Sequence, residues 1–95
     1  MASYVYIMAN KRNGTLYIGV TSDIIKRIYA HKNSFVDGFT KKYSIKQLVY
    51  YENFNDIREA IRREKFLKKS SRQEKLTLIE TKNPNWNDLY DEITK

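Results

Sequence analysis

Two tyrosines, an arginine, a histidine and a glutamate are the residues of this 95-residue chain that could carry chemistry. Tyr6 and Tyr17 fall in two β-rich runs separated by a turn of the right length to bring them close. Each could equally be half-buried packing with a wet hydroxyl. Arg27 and His31 are four residues apart and share one helix face at the edge of the Ile24/Ile28 stripe. An arginine beside an imidazole there could hold a phosphodiester and exchange protons near it. A solvated helix flank with basic residues facing the dipole is the plain alternative. Glu64 completes an apolar stripe formed by Ile57, Ala60, Ile61 and Leu67. A carboxylate on such a stripe costs free energy unless it is paired or binds a cation. Arg27, Arg62 and Arg63 could pair with it; a divalent cation using one protein carboxylate, water and phosphate oxygens is the other reading.

The elements that must position these side chains follow from local pattern. Tyr4–Ala9 and Thr15–Val20 read as strands, and the intervening turn ending in Asn13-Gly14 predicts an antiparallel hairpin. Gly19 inside the second strand marks a bulge, a tight bend or the close approach of a ligand. Thr21-Ser22-Asp23 offers caps for a helix reaching about Lys32, with Ile24, Ile25, Ile28 and Tyr29 as its apolar stripe. The stretch 33–44 is polar and without period, which predicts a loop. Lys46–Glu52 reads as a third strand. Asn55 or Asp56 caps a second helix through Lys68 or Lys69, and Ser71 with Glu74 forms a capping-box signature for a third, to about Thr81. Asn83-Pro84 stops it. Trp86, Leu89, Tyr90 and Ile93 then dock a short terminal segment. The order β-β-α-β-α-α predicts an α+β fold in one domain over 1–95, with a three-stranded, mostly antiparallel sheet flanked by helices.

Charge narrows the partners. Residues 1–50 carry eight basic and two acidic side chains, and 58–75 carry eight and three, within a formal net charge of +7. Arg58, Arg62, Arg63, Lys65, Lys68, Lys69, Arg72 and Lys75 could track a phosphate backbone; a solvated helix face is the alternative. The absence of cysteine excludes disulfides and thiolate zinc sites, and a single histidine excludes a multi-His metal site. No apolar run approaches about 18 residues, so no membrane span is expected. With no basic start followed by an apolar run, a cytoplasmic location is expected.

Taken as an ordered set, Tyr4-Val5-Tyr6, Tyr17-Ile18-Gly19, Arg27, His31 and a helical Glu64 resemble the GIY-YIG nuclease domain. The likeness is nearest to small stand-alone bacterial members related to the nuclease domain of the excinuclease C subunit. It extends through Phe39-Thr40-Lys41-Lys42, Arg62-Arg63-Glu64 and Asn83-Pro84-Asn85-Trp86. Such a resemblance implies a metal-dependent phosphodiesterase on DNA, with RNA as an alternative substrate, and a role in DNA repair or recombination. Glu64 would hold one Mg²⁺ or Mn²⁺, chiefly when nucleic acid is bound. Arg27 would hold the scissile phosphate, and His31 fills a position taken in the family by His or Tyr. Tyr6 or Tyr17 would help deprotonate the attacking water, and the choice between them stays open. Gly19, Lys41, Lys42, Arg63, Lys68 and Lys69 would line the nucleic acid. The late asparagine of larger relatives corresponds to Asn83, to Asn85 or to neither. The first tripeptide departs from the family pattern, with Tyr and Val where Gly and Ile are usual. Without an attached reading module, the expectation is weak or structure-selective cleavage by a monomer or weak homodimer, with a protein partner supplying target choice. A non-catalytic nucleic-acid-binding module on the same fold is the alternative.

Overall fold

The first hairpin lays down the centre of the molecule. In the computed structural model, which describes residues 2–35 and 38–95, β1 (Ser3–Ala9) pairs antiparallel with β2 (Leu16–Thr21). The turn between them places Asn13 at φ 56°, a left-handed conformation that asparagine tolerates better than most residues. The opposite edge of β1 pairs antiparallel with β3 (Gln47–Phe54), giving the order β2-β1-β3. β1 is therefore the central strand, which accounts for the near-total burial of Val5 through Ala9.

Strand alternation sends the two faces of β1 into separate cores. Val5, Ile7 and Ala9 join Ile18, Ala60, Leu67, Ile79 and Trp86 on one side. Tyr6 and Met8 join Ile24, Ile28, Ile45 and Leu48 on the other. A register shift between Ile7 and Met8 skips Val49, so the consecutive residues Val49 and Tyr50 both enter the first core. The irregularity of the sheet thus lies on β3. It does not lie at Gly19, where sequence had placed a bulge among the alternatives.

Three longer helices cover the sheet. Helix α1 (Ile24–Lys32) is capped by Asp23, whose carboxylate accepts from the Lys26 amide. Helices α3 (Ile57–Lys69) and α4 (Arg72–Lys82), numbered after the short α2 described below, pack on the first core. Asp56 caps α3, and the Ser71/Glu74 capping box that sequence predicts for α4 is formed in both directions.

Two expectations need correction. The predicted loop 33–44 contains a one-turn helix, α2 (Phe39–Lys42), because buried Thr40 faces inward and its carbonyl accepts from the Ile45 amide. Residues 36 and 37 of that stretch lie outside the described residues. The apolar stripe of α1 is Ile24, Ile28 and His31; Ile25 and Tyr29 are exposed. The chain ends in a second short helix, α5 (Tyr90–Ile93), with Leu89, Tyr90 and Ile93 against the second core. A radius of gyration of 12.3 Å matches the roughly 12 Å expected of one compact body of this length. No helix among the described residues is long and apolar enough to cross a membrane.

Candidate active site

Register decides which side chains can meet. Tyr6 pairs with Gly19 and Met8 with Tyr17, so both tyrosines rise from the same face of adjacent strands. Their ring centroids are 6.3 Å apart. The Tyr6 ring lies across Gly19, where an added Cβ would sit 2.4 Å from the Tyr6 hydroxyl and 2.5 Å from Cζ. Gly19 is there to make room for that ring, which is a different reason from the bulge, bend or ligand approach expected of it.

Helix α1 brings the next two groups. His31 stands one turn beyond Ile28 on the buried stripe and is 2% exposed, so it belongs to the core face and not to its edge. Its ring centroid lies 5.8 Å from that of Tyr6 and 5.4 Å from that of Tyr17. Arg27, on the flank of the helix, donates from Nε to the Tyr6 oxygen at 3.4 Å. Beside it opens a hollow of about 260 Å³ lined by Thr21, Asp23, Lys26, Arg27 and Ala30.

The hydrogen bonds form a directed chain. Tyr6 Oη lies 3.1 Å from His31 Nε2, and His31 Nδ1 lies 3.3 Å from Thr40 Oγ1. Because Arg27 already donates to the Tyr6 oxygen, the Tyr6 proton finds its acceptor when His31 Nε2 is bare. His31 then carries its proton on Nδ1 and donates it to Thr40. Burial, aided by the charge of Arg27, pushes the His31 pKa down to about 4, which keeps the ring neutral. Burial raises the Tyr6 pKa to about 12 against the opposing pull of Arg27, so Tyr6 keeps its proton at neutral pH. Arg27 in turn is held more firmly charged by its bond to Tyr6, with a smaller contribution from Tyr17.

Glu64 comes from α3. Ala60 and Leu67 are buried on the same stripe, whereas Ile57 is 42% exposed, so Glu64 is held on the covered line with its side chain 14% exposed. Its negative charge is felt at the Tyr6 hydroxyl, which it helps to push up. Its ion-pair partner is Lys68, one turn along the helix at 3.5 Å, and none of the three arginines that sequence offered. Arg63 is engaged elsewhere. It makes two 2.9 Å hydrogen bonds to Glu52, whose carboxylate also accepts from the Tyr50 hydroxyl. Burial alone would raise Glu52, but Arg63 and Tyr50 outweigh it and hold the carboxyl below its ordinary range.

The family model described as the GIY-YIG catalytic domain matches residues 2–77. The chain belongs to the GIY-YIG family. Family membership gives it a nuclease-type catalytic domain. It is 42% identical over 80 residues to a UPF0213 protein of Clostridium perfringens, covering 84% of this chain and 85% of that one. A UPF0213 protein of Staphylococcus saprophyticus is 46% identical over 76 residues, covering 80% and 92% respectively. The solution NMR structure of a UPF0213 protein from Bacillus halodurans superposes with a TM-score of 0.58 at 31% identity, covering 93% of both chains.

In GIY-YIG terms, the two signature tripeptides are Tyr4-Val5-Tyr6 in β1 and Tyr17-Ile18-Gly19 in β2, the adjacent strands that carry the cluster. The structure gathers Tyr6, Tyr17, Arg27 and His31 and sets Glu64 within electrostatic reach of Tyr6. Lys41 and Lys42 are exposed on α2, with the Lys42 ammonium 5.4 Å from the Tyr43 ring centroid. Lys69 is exposed at the end of α3. Asn83 is buried, donating its amide to the carbonyls of Val49 and Asn87 and accepting from the Asn87 amide. It fastens the turn after α4 to β3, and none of its partners belongs to the cluster. Asn85 is exposed. Thr40 escaped sequence reasoning as a site residue, since the aperiodic stretch around it gives no sign that its hydroxyl meets His31.

Proposed function

We propose that this GIY-YIG domain is a divalent-metal-dependent DNA phosphodiesterase of weak or structure-selective action, working in the cytoplasm in DNA repair or recombination. The observation that carries the reading is the Arg27–Tyr6–His31–Thr40 chain, fixed beside a sheltered carboxylate.

The donor set suits a small hard cation. Lys68 stands at 3.5 Å from Glu64, longer than the roughly 2.7–2.9 Å of a strong charge-assisted bond, so the carboxylate is not tightly committed. Among the described residues no group of three or more His, Cys, Asp or Glu forms a cage. A single carboxylate fits Mg²⁺ or Mn²⁺, which keep several waters and take further oxygens from phosphate. Glu64 would hold the ion, which when bound supplies positive charge to the phosphate.

The chain's own residues do the remainder. Neutral Tyr6, itself held by neutral His31, fixes the guanidinium of Arg27 through Nε. Its other N–H donors suit two oxygens of the scissile phosphate, a bidentate geometry that lysine cannot offer. Tyr6 is fully buried and its proton is spoken for, whereas Tyr17 is partly exposed. We therefore assign the attacking water to Tyr17. Tyr17, beside Arg27, passes its hydroxyl proton to solvent and takes the water's proton at Oη while the water oxygen bonds to phosphorus and the strand's P–O bond breaks. The leaving oxygen takes its proton from solvent. Exposed Lys41, Lys42 and Lys69 extend the positive surface for the backbone.

The test is incubation of the purified protein with nicked, flap and branched DNA in Mg²⁺ or Mn²⁺. Strand breakage that chelator abolishes is the expected result. Background cutting on every substrate, equal with and without chelator, overturns the reading.

A further inference from the structure

A second cationic hollow lies away from the tyrosine cluster, at the tip of the β1–β2 hairpin. It encloses roughly 600 Å³ between the hairpin turn and the first turn of α4, and none of its lining residues is acidic. Lys11 comes from the turn, while Arg72 and Lys75 come from α4. Glu74, the acid nearest in sequence, is turned back onto Ser71 in the capping box.

Arg72 is set in place before any ligand arrives. Its Nη2 donates to the carbonyls of Asn13 and Gly14 at 2.7 and 2.6 Å, tying α4 to the hairpin. Guanidinium side chains that must be immobilised on binding lose rotamer entropy, and here that cost has been met in folding. Asn10 is fixed too, its side-chain oxygen accepting from the Thr15 amide at 2.9 Å. Three cations around a polar hollow, with one already oriented, is a phosphate-binding arrangement.

Its place relative to the cluster gives it a use. Gly14 lies two residues before β2, the strand that carries Tyr17 into the cluster. Resting on the nuclease reading above, we propose that Lys11, Arg72 and Lys75 form a second phosphate subsite that grips the nucleic-acid backbone at the hairpin tip, away from the cleavage point. The subsite positions substrate and takes no part in the chemistry. It reads no bases, since lysines and an arginine on backbone phosphates carry affinity without sequence information.

The test is fluorescence anisotropy of a labelled flap DNA in chelator, across a salt series, with wild type and Lys11→Gln/Lys75→Gln. That pair leaves the Arg72 ties intact, so the fold is preserved. Lys46→Gln/Lys95→Gln removes two exposed positive charges elsewhere as a control. We expect the first pair to weaken binding about ten-fold or more and to lower the salt slope by roughly 0.7–0.9 per charge lost, with a clearly smaller effect from the control. Equal weakening by both pairs overturns the subsite. Amide shifts at Lys11, Gly14 and Thr15 on DNA addition support it; shifts with inorganic phosphate but none with DNA overturn it. The nuclease reading is scored separately by cutting in Mg²⁺. Wild-type cutting with an unaffected Lys11/Lys75 pair sinks the subsite alone, and absent cutting with a strongly weakened pair leaves the subsite standing.

Discussion

The Tyr6 hydroxyl stands 3.1 Å from His31 Nε2, and each member of that pair is at most 2% exposed. One comes from the central strand and the other from the helix that covers it. The bond therefore ties the hydrogen-bonded chain of the site to the docking of α1 on the sheet. Losing that bond would disturb the hydrogen-bonded chain and the docking of α1 together.

The first consequence is a pH dependence. His31 titrates near 4 in the folded chain and near 6.5 when unfolded, so between these values the unfolded state binds the extra proton. Stability accordingly falls as pH drops through that window. The loss between pH 7 and 5 should be about 2 kcal/mol from this group. Glu52, held below the ordinary carboxylate range, keeps its contribution until lower pH. Urea unfolding at pH 7 and pH 5 measures the effect, and His31→Phe should remove most of the difference. An unchanged pH slope in that variant would mean that another group is responsible.

Gly19→Ala places a methyl 2.4 Å from the Tyr6 hydroxyl and 2.5 Å from Cζ. The ring must move, and with it the contacts to Arg27 and His31. Overpacking of this kind costs about 1–3 kcal/mol. Thermal unfolding should show that loss, and cleavage should fall further than the loss of folded protein explains. A variant as stable and active as wild type would show that the ring has somewhere else to go.

Tyr17→Phe and Tyr6→Phe should part company. Tyr17 is partly exposed, and its hydroxyl is assigned to the attacking water, so its loss should lower the cleavage rate at least 100-fold with the fold unchanged. Tyr6→Phe strips a buried hydroxyl from His31 and Arg27 and should cost about 1–3 kcal/mol of stability as well. Single-turnover rates set beside urea midpoints separate the two. If Tyr6→Phe alone abolishes cutting, the assignment of the water to Tyr17 is wrong.

How much of this was visible in the residues beforehand differs by element. The hairpin, the Asp56 cap and the Ser71/Glu74 box are local signals, and the structure carries all three. Periodicity does not reveal the face taken by His31, because it ranks side chains by hydropathy. Ile25 and Tyr29 look more apolar, yet the histidine is buried because Tyr6 and Thr40 satisfy both its nitrogens. The partners of Glu64 and Arg63 were illegible for another reason. They depend on how α3 meets β3, and the sequence around Arg63 does not announce Glu52.

Arg63 tests that last point. Its two bonds to the half-buried Glu52 make it a fastener between α3 and β3, not a free hand for nucleic acid. Arg63→Ala leaves that carboxylate without its charged partner and should cost about 1–3 kcal/mol. DNA affinity at a temperature where the variant is fully folded should stay close to wild type. A large loss of affinity with unchanged stability would return Arg63 to the binding surface.

The central claim is that Glu64 and the Arg27–Tyr6–His31 chain act together on a phosphodiester. Its most direct test is the rate of flap-DNA cleavage against Mg²⁺ or Mn²⁺ concentration, for wild type and Glu64→Gln. The amide keeps the shape of the side chain and removes its charge. Wild type should show a saturable dependence on metal, and Glu64→Gln should cut at least 100-fold more slowly at every concentration while remaining folded. Equal rates and equal metal dependence in the two proteins would contradict the account.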